Sequence, residues 1–551
     1  MKNKLVWLIA LISLAHTGIS QSSVNRYFIY FTDKAGESYP YSISSPEQFL
    51  TQRAIDRRNK QNIAINETDL PVDPEYVQQL KNAGIDVFFT SKWLNGALVN
   101  ANVNLLDDVS QLSFVDSIAW IADTTRLSYE KDIPDDPSTF AEPGSVNGDS
   151  DIQLMMLGAD HMHADNIKGQ GMLIAVLDNG FNGVNRHTPF QHLWENNQIV
   201  ATKDFVQNSG NVYQFGDHGT SVFSTIGSMF ESTDGNLYGI AYEANFILCI
   251  TEDNQAENTL EEYNWVLGAE FADSLGADVI NCSLGYKFFD IEEHDYKVED
   301  LDGETAIISI GAKIAAEKGM VVVTSAGNSG DEPYPRNLIS PPADGKGILT
   351  VGSVNPDFSY SDFSSVGNTT DGRIKPDVAA FGSATAVIRG SGNIQRGSGT
   401  SFASPLIAGL AAGIWQANPD WTSKEVIDAI KKSGHRNFAP DSLRGWGVPS
   451  YTYAVNGERA LNVVDILEDK VTIFPNPFYG DTLFLVTDGK FKEGMSIRIL
   501  DPKGALIFNQ DFGKKDIKEN MELNIDGSQQ GVYFLFLQIG TNQKIVKLIN
   551  F

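Results

Sequence analysis

The chain is poor in cysteine and in basic residues. Among its 551 residues the only cysteines are Cys249 and Cys282. Each lies in an apolar stretch that predicts a buried strand, which favours two free thiols over a disulfide and excludes a cysteine framework. Lys and Arg number 41 against 70 Asp and Glu, so the formal net charge is −29. This balance argues against nucleic acid as a partner.

Long apolar runs are also scarce. Beyond the N-terminus, no segment is long and apolar enough to suggest a span of a bilayer. The N-terminus carries Lys2 and Lys4, an apolar stretch over 5–14, and small residues up to Ser20, a pattern typical of a signal peptide over 1–20. The alternative is an uncleaved anchor, for which the stretch is short. The remaining length predicts about three domains.

One serine lies where a glycine-rich loop meets an alanine-rich helix. Ser401 is part of the run 396–405, and its small neighbours would let a peptide backbone approach the hydroxyl. The helix N-terminus directs N–H groups and a positive dipole end at negative charge forming beside it. A serine in this position is usually an N-cap, so its partners decide whether it is a nucleophile.

Three other polar residues are candidates to act with this serine. His218 follows a glycine turn and begins a helix of small residues. Asp178 ends the apolar run 172–177, which predicts a buried parallel strand with an acid at the edge where open α/β sheets bind ligands. Asn328 follows another apolar strand and is expected at the same edge. Taken singly, Asp178 could be a capping residue and Asn328 part of an ordinary turn.

Together, the order Asp178, His218, Asn328 and Ser401 and the sequences around them resemble the subtilisin-like serine peptidases, the subtilases. The matching motifs are Asp178-Asn179-Gly180, His218-Gly219-Thr220-Ser221-Val222 and Gly399-Thr400-Ser401-Phe402-Ala403-Ser404-Pro405. The resemblance covers about residues 150–455. It implies an α/β fold with a subtilisin-like parallel sheet and flanking helices.

The resemblance also assigns chemical roles. A serine hydroxyl is a poor nucleophile near neutral pH and needs a base within hydrogen-bond reach. His218 would be that base, held by Asp178, while the Asn328 side chain and the Ser401 backbone N–H would bind the oxyanion. The chemistry requires no cofactor. Acidic loops such as 290–302 could bind structural calcium, as many subtilases do.

By the same resemblance, two segments bind the substrate. Ser283-Leu284-Gly285 would lie as an extended edge beside the residues that precede the scissile bond, and Ser325-Ala326-Gly327 would form another wall of the pocket. Main-chain hydrogen bonding along an added strand predicts broad sequence specificity. Leu284 suggests an apolar pocket, whereas Asp331 and Glu332 could favour a basic side chain.

Residues 21–125 have a different character, with strand-like and helix-like segments in alternation. A helix expected over 46–60 carries Arg53, Arg57 and Arg58. An α+β unit of this size ahead of a subtilase core resembles the family's inhibitory propeptide, and its basic helix could dock on an acidic protease. The alternative is a permanent accessory domain. An exposed linker is expected over 126–150, followed by the catalytic domain over 151–465.

Residues 466–551 alternate with period two in short, closely spaced segments, which predicts a small β-sandwich. Three elements resemble the C-terminal sorting domain of proteins exported by the type IX secretion system of some Gram-negative bacteria. They are Phe474-Pro475-Asn476-Pro477, Gly531-Val532-Tyr533-Phe534 and Lys544-Ile545-Val546-Lys547-Leu548. The competing interpretation, an adhesive or carbohydrate-binding sandwich, would show exposed aromatic residues on one face.

The sequence therefore predicts a secreted or cell-surface serine endopeptidase, made as a self-processed precursor and acting on proteins or peptides as a monomer. Its partners would be its own propeptide as inhibitor and the secretion machinery, with export through the periplasm. Two other classes remain open. An adhesion protein on an inactive subtilase scaffold is disfavoured by the complete set of four residues. A carboxyl-type serine peptidase, whose base is a glutamate, is disfavoured by the motif around His218.

Overall fold

The computed structural model describes residues 24–34, 39–123, 150–232, 235–253, 256–356, 358–437, 439–456, 471–474, 482–487, 493–501, 503–517, 520–525, 531–540 and 542–550. The signal peptide expected over 1–20 and nearly all of the expected linker lie outside these residues. So does the Pro475-Asn476-Pro477 part of one sorting motif.

The N-terminal unit, residues 24–123, is an antiparallel sheet with helices. Its strands are β1 Val24–Phe31, β2 Asp86–Ser91, β3 Gly96–Asn102 and β4 Val115–Asp123, and its helices are α1 Gln52–Lys60, α2 Pro74–Asn82 and α3 Leu106–Ser110. Short 3-10 turns cover Pro46–Gln48, Glu67–Asp69 and Val103–Leu105. The strand order is β2-β3-β1-β4. The α+β unit expected from the sequence is therefore present.

The prediction of one continuous helix over 46–60 is wrong. The chain makes the turn Pro46–Gln48, and α1 begins only at Gln52. Thr51 between them is extended, and its hydroxyl accepts a hydrogen bond from the Ala54 N–H at 3.3 Å. An N-cap residue of this kind starts a new helix, so the two segments cannot be one.

The central unit, residues 150–456, contains the strands β5 Leu173–Asp178, β6 Ile199–Asp204, β7 Met229–Phe230, β8 Leu237–Tyr238, β9 Asn245–Ile250, β10 Val279–Cys282, β11 Val321–Ser325, β12 Leu349–Val354, β13 Val378–Phe381, β14 Thr385–Ile388 and β15 Ile394–Gly397. Seven of them form one sheet in the order β13-β12-β11-β10-β5-β9-β6, and every neighbouring pair is parallel. The predicted subtilisin-like parallel sheet is confirmed.

Helices cover both faces of this sheet. They are α4 Asp151–Met155, α5 Ala159–Ala164, α6 Gln191–Glu195, α7 His218–Gly227, α8 Leu260–Leu275, α9 Ile307–Glu317, α10 Thr400–Ala417, α11 Ser423–Ser433 and α12 Tyr451–Asn456. Alternate residues of β5 enter two different cores: Ile174 and Val176 join one, while Leu173, Ala175 and Leu177 join the other. A strand covered on both faces reads as a continuous apolar run, which is what the sequence has here.

Cys249 and Cys282 lie in β9 and β10, and both are buried free thiols, as expected. Burial raises the pKa of each thiol above its ordinary value. Such thiols are poor nucleophiles. The strands position them as small apolar residues of the core.

The C-terminal unit has the strands β16 Val471–Phe474, β17 Thr482–Thr487, β18 Met495–Leu500, β19 Leu506–Phe512, β20 Asn520–Asn524, β21 Gly531–Ile539 and β22 Asn542–Asn550. They form two antiparallel sheets, β16-β17-β20 and β19-β18-β21-β22. Side chains of both sheets, including Leu485, Ile497 and Leu535, share one core. The predicted β-sandwich is confirmed. In the part of the chain that is described, no helix has the length and apolar character needed to cross a membrane.

Candidate active site

The carboxyl ends of β5, β10 and β11 bring the predicted residues to one edge of the sheet. Asp178 is the last residue of β5, Ser283 follows β10, and Ser325 is the last residue of β11. Two helices begin at this edge: α7 with His218, and α10 with Ser401 as its second residue. Residues that are far apart in the sequence thus meet because parallel strands end side by side.

Asp178 and His218 form a close pair. His218 Nδ1 lies 2.8 Å from Asp178 Oδ1, which also accepts the Asn179 N–H at 2.8 Å. The carboxylate is fully buried, whereas the side chain of His218 is 31% exposed. Gly219 makes this approach possible, because a Cβ there would lie 2.9 Å from Asp178 Cβ. The pair thus holds the imidazole by one of its two nitrogens.

The charges around His218 favour its protonated form. Burial alone would lower the pKa of the ring, but the charge of Asp178 and the hydrogen bond to it outweigh that effect, so the pKa is raised. Glu252 adds to the rise, and Arg389 opposes it. The imidazolium formed when His218 takes a proton is therefore stabilised.

Ser401 is buried and forms two reciprocal hydrogen bonds with Ser283. The Ser401 hydroxyl donates to the Ser283 carbonyl at 3.2 Å, and the Ser283 hydroxyl donates to the Ser401 carbonyl at 2.9 Å. The Phe402 ring lies beside His218, with 6.1 Å between the ring centroids. The Ser401 hydroxyl thus donates to a backbone carbonyl, and an attack assisted by His218 requires it to turn towards the imidazole.

Asn328 is exposed at the same edge and has a fixed orientation. Its Oδ1 accepts the Thr400 N–H at 2.8 Å and the Thr400 hydroxyl at 2.9 Å. Because the oxygen is held by Thr400, the Nδ2 amide group is the end that can donate to a ligand. The N–H of Ser401 lies in the first turn of α10, where backbone N–H groups have no partner within the helix.

The two predicted substrate segments border this edge in different ways. Leu284 is nearly buried, and Gly285 leads into Tyr286, whose N–H donates to the Pro341 carbonyl at 2.8 Å. Ala326 is fully buried, and its N–H donates to the Val351 carbonyl at 2.9 Å. Gly327 has φ of 105°, a left-handed conformation that favours glycine.

The other residues of the two segments are placed as follows. Ser325 and Ser283 are buried beside the sheet edge. Of the acidic residues expected to influence the pocket, Asp331 and Glu332 are both exposed, and Glu332 forms a 3.7 Å ion pair with Arg336. A surface pair of this kind contributes little energy.

Sequence reasoning missed Glu252. It follows β9 by two residues, and the hydroxyl of Tyr286 donates to its Oε2 at 2.6 Å. Burial raises the pKa of this carboxyl to about 7. The signal was present, because a polar residue after the next parallel strand belongs at the same edge as Asp178. Glu252 thus links the His218 side of the site to the segment that begins at Ser283.

In the acidic loop for which calcium was considered, carboxylates accept hydrogen bonds from nearby backbone N–H groups. Asp295 accepts the Phe289 N–H at 2.7 Å, Asp300 accepts the Lys297 N–H at 2.8 Å, and Asp302 accepts the N–H groups of Glu304 and Thr305. Within the described ranges, no three His, Cys, Asp or Glu side chains are grouped to hold a metal ion. These carboxylates thus hold backbone N–H groups close to them in the sequence, and structural calcium stays a prediction.

Three family profiles match successive parts of the chain. The subtilase family profile matches residues 169–447, a Bacteroidota S8 propeptide domain matches 26–135, and a secretion system C-terminal sorting domain matches 472–550. Subtilisin E of Bacillus subtilis (strain 168) is 27% identical over 340 residues, covering 61% of this chain and 75% of that protein. Serine protease AprX of the same strain is 29% identical over 293 residues, covering 48% and 61%.

Among solved structures, MycP1 from Mycobacterium smegmatis is similar, with 22% identity, a TM-score of 0.44, and coverage of 59% of this chain and 92% of that one. The matched profiles follow one another along the chain in the order propeptide, peptidase and sorting domain. The family profile alone spans half of the sequence. The chain therefore belongs to the subtilase family, as a secreted serine peptidase with a propeptide and a C-terminal type IX sorting domain.

Proposed function

We propose that this protein is an endopeptidase that uses Ser401 as nucleophile, His218 as general base and Asp178 as the acid that orients the base. The observation that carries the proposal is the 2.8 Å bond between the buried Asp178 and His218, at the sheet edge where α10 presents Ser401. This arrangement supplies a base for a hydroxyl that is otherwise unreactive.

The proposed reaction has two stages, acylation of Ser401 and hydrolysis of the acyl-enzyme. His218 takes the proton of Ser401 as the serine oxygen bonds to the scissile carbonyl carbon, and the carbonyl oxygen becomes an oxyanion. The oxyanion collapses, the C–N bond breaks, and His218 gives its proton to the leaving amine. A water molecule then attacks the acyl carbon while His218 takes one of its protons. The C–O bond to the serine breaks, the serine oxygen regains that proton from His218, and the acid product leaves. No cofactor is needed.

The orientation of Asn328 supports an oxyanion role. We expect Asn328→Ala to lower kcat by about 10² to 10³-fold, or about 2.7 to 4 kcal/mol, with KM little changed. The amide donates to charge that exists only after attack, so substrate binding should not suffer. Steady-state kinetics on a peptide substrate test this expectation. A rise in KM at unchanged kcat would assign the residue to substrate binding instead.

The environment of His218 sets the expected pH dependence. His218 can act as a base only when it is neutral, so kcat/KM should fall as the pH decreases and the ring becomes protonated. Because the pKa of His218 is raised, the midpoint of this fall should lie above the ordinary histidine value of about 6.5. Because burial raises the pKa of Glu252 itself to about 7, this residue is only partly charged near the midpoint, and Glu252→Gln should move the midpoint to lower pH by a small amount. Removing a repulsive charge with Arg389→Gln should move it to higher pH. A flat profile from about pH 5 to 8 would contradict the assignment of the base.

We further propose the domain organisation that the sequence suggests: signal peptide 1–20, propeptide 21–125, linker 126–150, catalytic domain 151–465 and sorting domain 466–551. The matched profiles support this order. In this proposal the precursor cleaves itself, its propeptide inhibits it, and the monomer reaches the cell surface or the medium through the periplasm of a Gram-negative bacterium.

A serine-directed phosphonate tests the central claim. Only an activated hydroxyl reacts with such a reagent, so we expect mass spectrometry of the processed enzyme to find a single adduct on Ser401. The competing function, adhesion on an inactive subtilase scaffold, predicts no labelling at any serine. Ser398→Ala, on the same loop, should leave labelling unchanged.

A further inference from the structure

An arginine of the β14–β15 hairpin lies near the catalytic residues and has no role in the chemical steps described above. Arg389 directly follows β14, and its backbone closes the hairpin turn. Its N–H donates to the Asn393 carbonyl at 2.9 Å, and its carbonyl accepts the Gly392 N–H at 2.7 Å. The second strand of this hairpin leads within a few residues to Ser401. Arg389 therefore begins from a fixed backbone close to the nucleophile.

Two hydroxyls of α7 hold the residue before Arg389. The Ser221 hydroxyl donates to the Ile388 carbonyl at 2.9 Å, and the Ile388 N–H donates to the Ser224 hydroxyl at 3.0 Å. Because α7 is the helix that begins with His218, these bonds fix the hairpin turn relative to the imidazole. A side chain that starts from a rigid element keeps its position better than one on a mobile loop.

The side chain of Arg389 extends to the aromatic ring that follows the nucleophile. Its guanidinium carbon lies 5.9 Å from the centroid of the Phe402 ring, and the Phe402 ring lies 6.1 Å from that of His218. Gly397 leaves room for both, because a Cβ there would lie 2.7 Å from Phe402 Cε2 and 3.3 Å from Arg389 Nη2. The guanidinium is thus separated from the imidazole by one aromatic ring.

The guanidinium of Arg389 is unpaired in the part of the chain that the structure describes. No side-chain or backbone oxygen there forms a hydrogen bond or an ion pair with it. Other arginines of this unit have such partners: Arg396 donates to the Ala384 carbonyl at 3.0 Å, and Arg186 donates to Asn182 Oδ1 at 2.6 Å. The chain has 70 acidic residues against 41 basic ones, so acidic partners are plentiful. An arginine that lacks one beside the catalytic residues is available to a carboxylate of a ligand.

The proposed reaction determines which part of a substrate meets this arginine. His218 gives its proton to the leaving amine, so the first residue after the scissile bond lies beside the imidazole. In the same proposal, the residues before the bond lie along the segment that begins at Ser283, to which Ser401 is hydrogen-bonded. Phe402 and Arg389 adjoin His218, which is the side of the leaving group.

We propose that Arg389 determines specificity by binding a carboxylate that lies just after the scissile bond of the substrate. This inference rests on the proposed function, because it needs His218 as the donor to the leaving amine. The carboxylate belongs to an Asp or Glu at the first or second residue after the bond, or to the C-terminus of a substrate that ends there. A guanidinium binds a carboxylate through two parallel N–H groups, and such charged hydrogen bonds are strong enough to change kcat/KM by about 10-fold.

The test uses the processed enzyme and a peptide that it cleaves at one bond, identified by mass spectrometry. Glu is compared with Gln at the first and at the second residue after that bond, and a free C-terminus with an amide two residues after it. We expect kcat/KM to be about 10-fold higher for the carboxylate member of at least one pair, and that pair identifies the source of the carboxylate. Arg389→Gln should bring this ratio to about 1, and Arg389→Glu should favour Lys over Glu at the same position.

Each comparison is a ratio on one enzyme, measured well above the midpoint of its pH profile, so a change in the pKa of His218 cancels. Cleavage of the Gln peptide shows that a variant is folded, and Arg389→Gln alone decides the question if Arg389→Glu is inactive. Arg396→Gln is the matched control, because it removes the same charge from an exposed position of the same hairpin and should keep the ratio. Glu against Gln before the bond should give a ratio that does not depend on Arg389.

Three results would overturn the role of Arg389 and leave the proposed function standing. They are equal cleavage of both members of every pair, a preference that survives Arg389→Gln, and an Arg389-dependent preference only before the bond. If the processed enzyme cleaves no peptide and Ser401 does not react with a phosphonate, the proposed function is refuted, and this inference is refuted with it.

Discussion

The Ser401→Ala chain is expected to lose peptidase activity by about 10⁶-fold, the order of magnitude for removing the nucleophile of a serine triad. It should also remain at precursor size, with residues 21 to about 125 attached, because the proposed maturation is self-cleavage. Ser401 is the second residue of α10, at the sheet edge that carries the Asp178–His218 pair, and its hydroxyl donates to the Ser283 carbonyl at 3.2 Å.

Activity on a peptide substrate and the mass of the purified chain measure the two effects separately. Ser398→Ala is the control, since Ser398 lies in the same loop, is exposed, and accepts the Ala384 N–H through its hydroxyl. Normal processing of purified Ser401→Ala protein, with no other protease present, would refute self-cleavage. Retained peptidase activity in the mutant would refute the nucleophile.

Ending the chain after Glu468 should leave peptidase activity intact and abolish export. All four proposed catalytic residues lie between 178 and 401, and the strands of the C-terminal unit form a hydrophobic core of their own. The sorting domain therefore has no chemical task in the proposal. When refolded or made in another host, the truncated enzyme should hydrolyse peptides normally, while in its own host it should stay in the periplasm.

Removal of residues 544–551 alone tests the same idea more narrowly. These residues make up most of β22, which pairs with β21 and buries Val546 and Leu548 in the sandwich core. Export should fail while activity is kept, since this core is separate from the cores beneath the catalytic edge. Loss of activity in purified, folded protein, or normal export of either truncated chain, would refute the sorting role.

Much of the site could be predicted because its signals are local. Each signal marks a strand end or a helix start within a few residues. These signals are the short apolar run that ends in Asp178, the glycine before His218 and the glycine-rich loop before Ser401. The rule that parallel strands end at one edge then brings these segments together. The same rule places Glu252, two residues beyond β9, at this edge.

The local sequence did not predict where α1 begins, because an N-cap residue sets that boundary. The segment 46–60 has helical character throughout, yet the extended conformation of Thr51 separates a 3-10 turn from α1. A threonine is compatible with either a helix interior or a cap, and its surroundings determine which it becomes. Here the Thr51 N–H donates to the Ser274 carbonyl of the catalytic unit at 2.9 Å, a contact that no sequence window contains.

By itself, the sequence determined the architecture, the strand ends that carry the catalytic residues, and the basic character of α1. Only the tertiary structure decided what that basic helix binds. Arg57 and Asp273 are 216 residues apart, and neither residue type identifies the other. The pairing depends on which helix ends the fold leaves side by side and on burial that makes an unpaired charge costly. Local chemistry is encoded in short segments, whereas the contacts of α1 with the ends of α8 and α9 exist only once these helices have packed together.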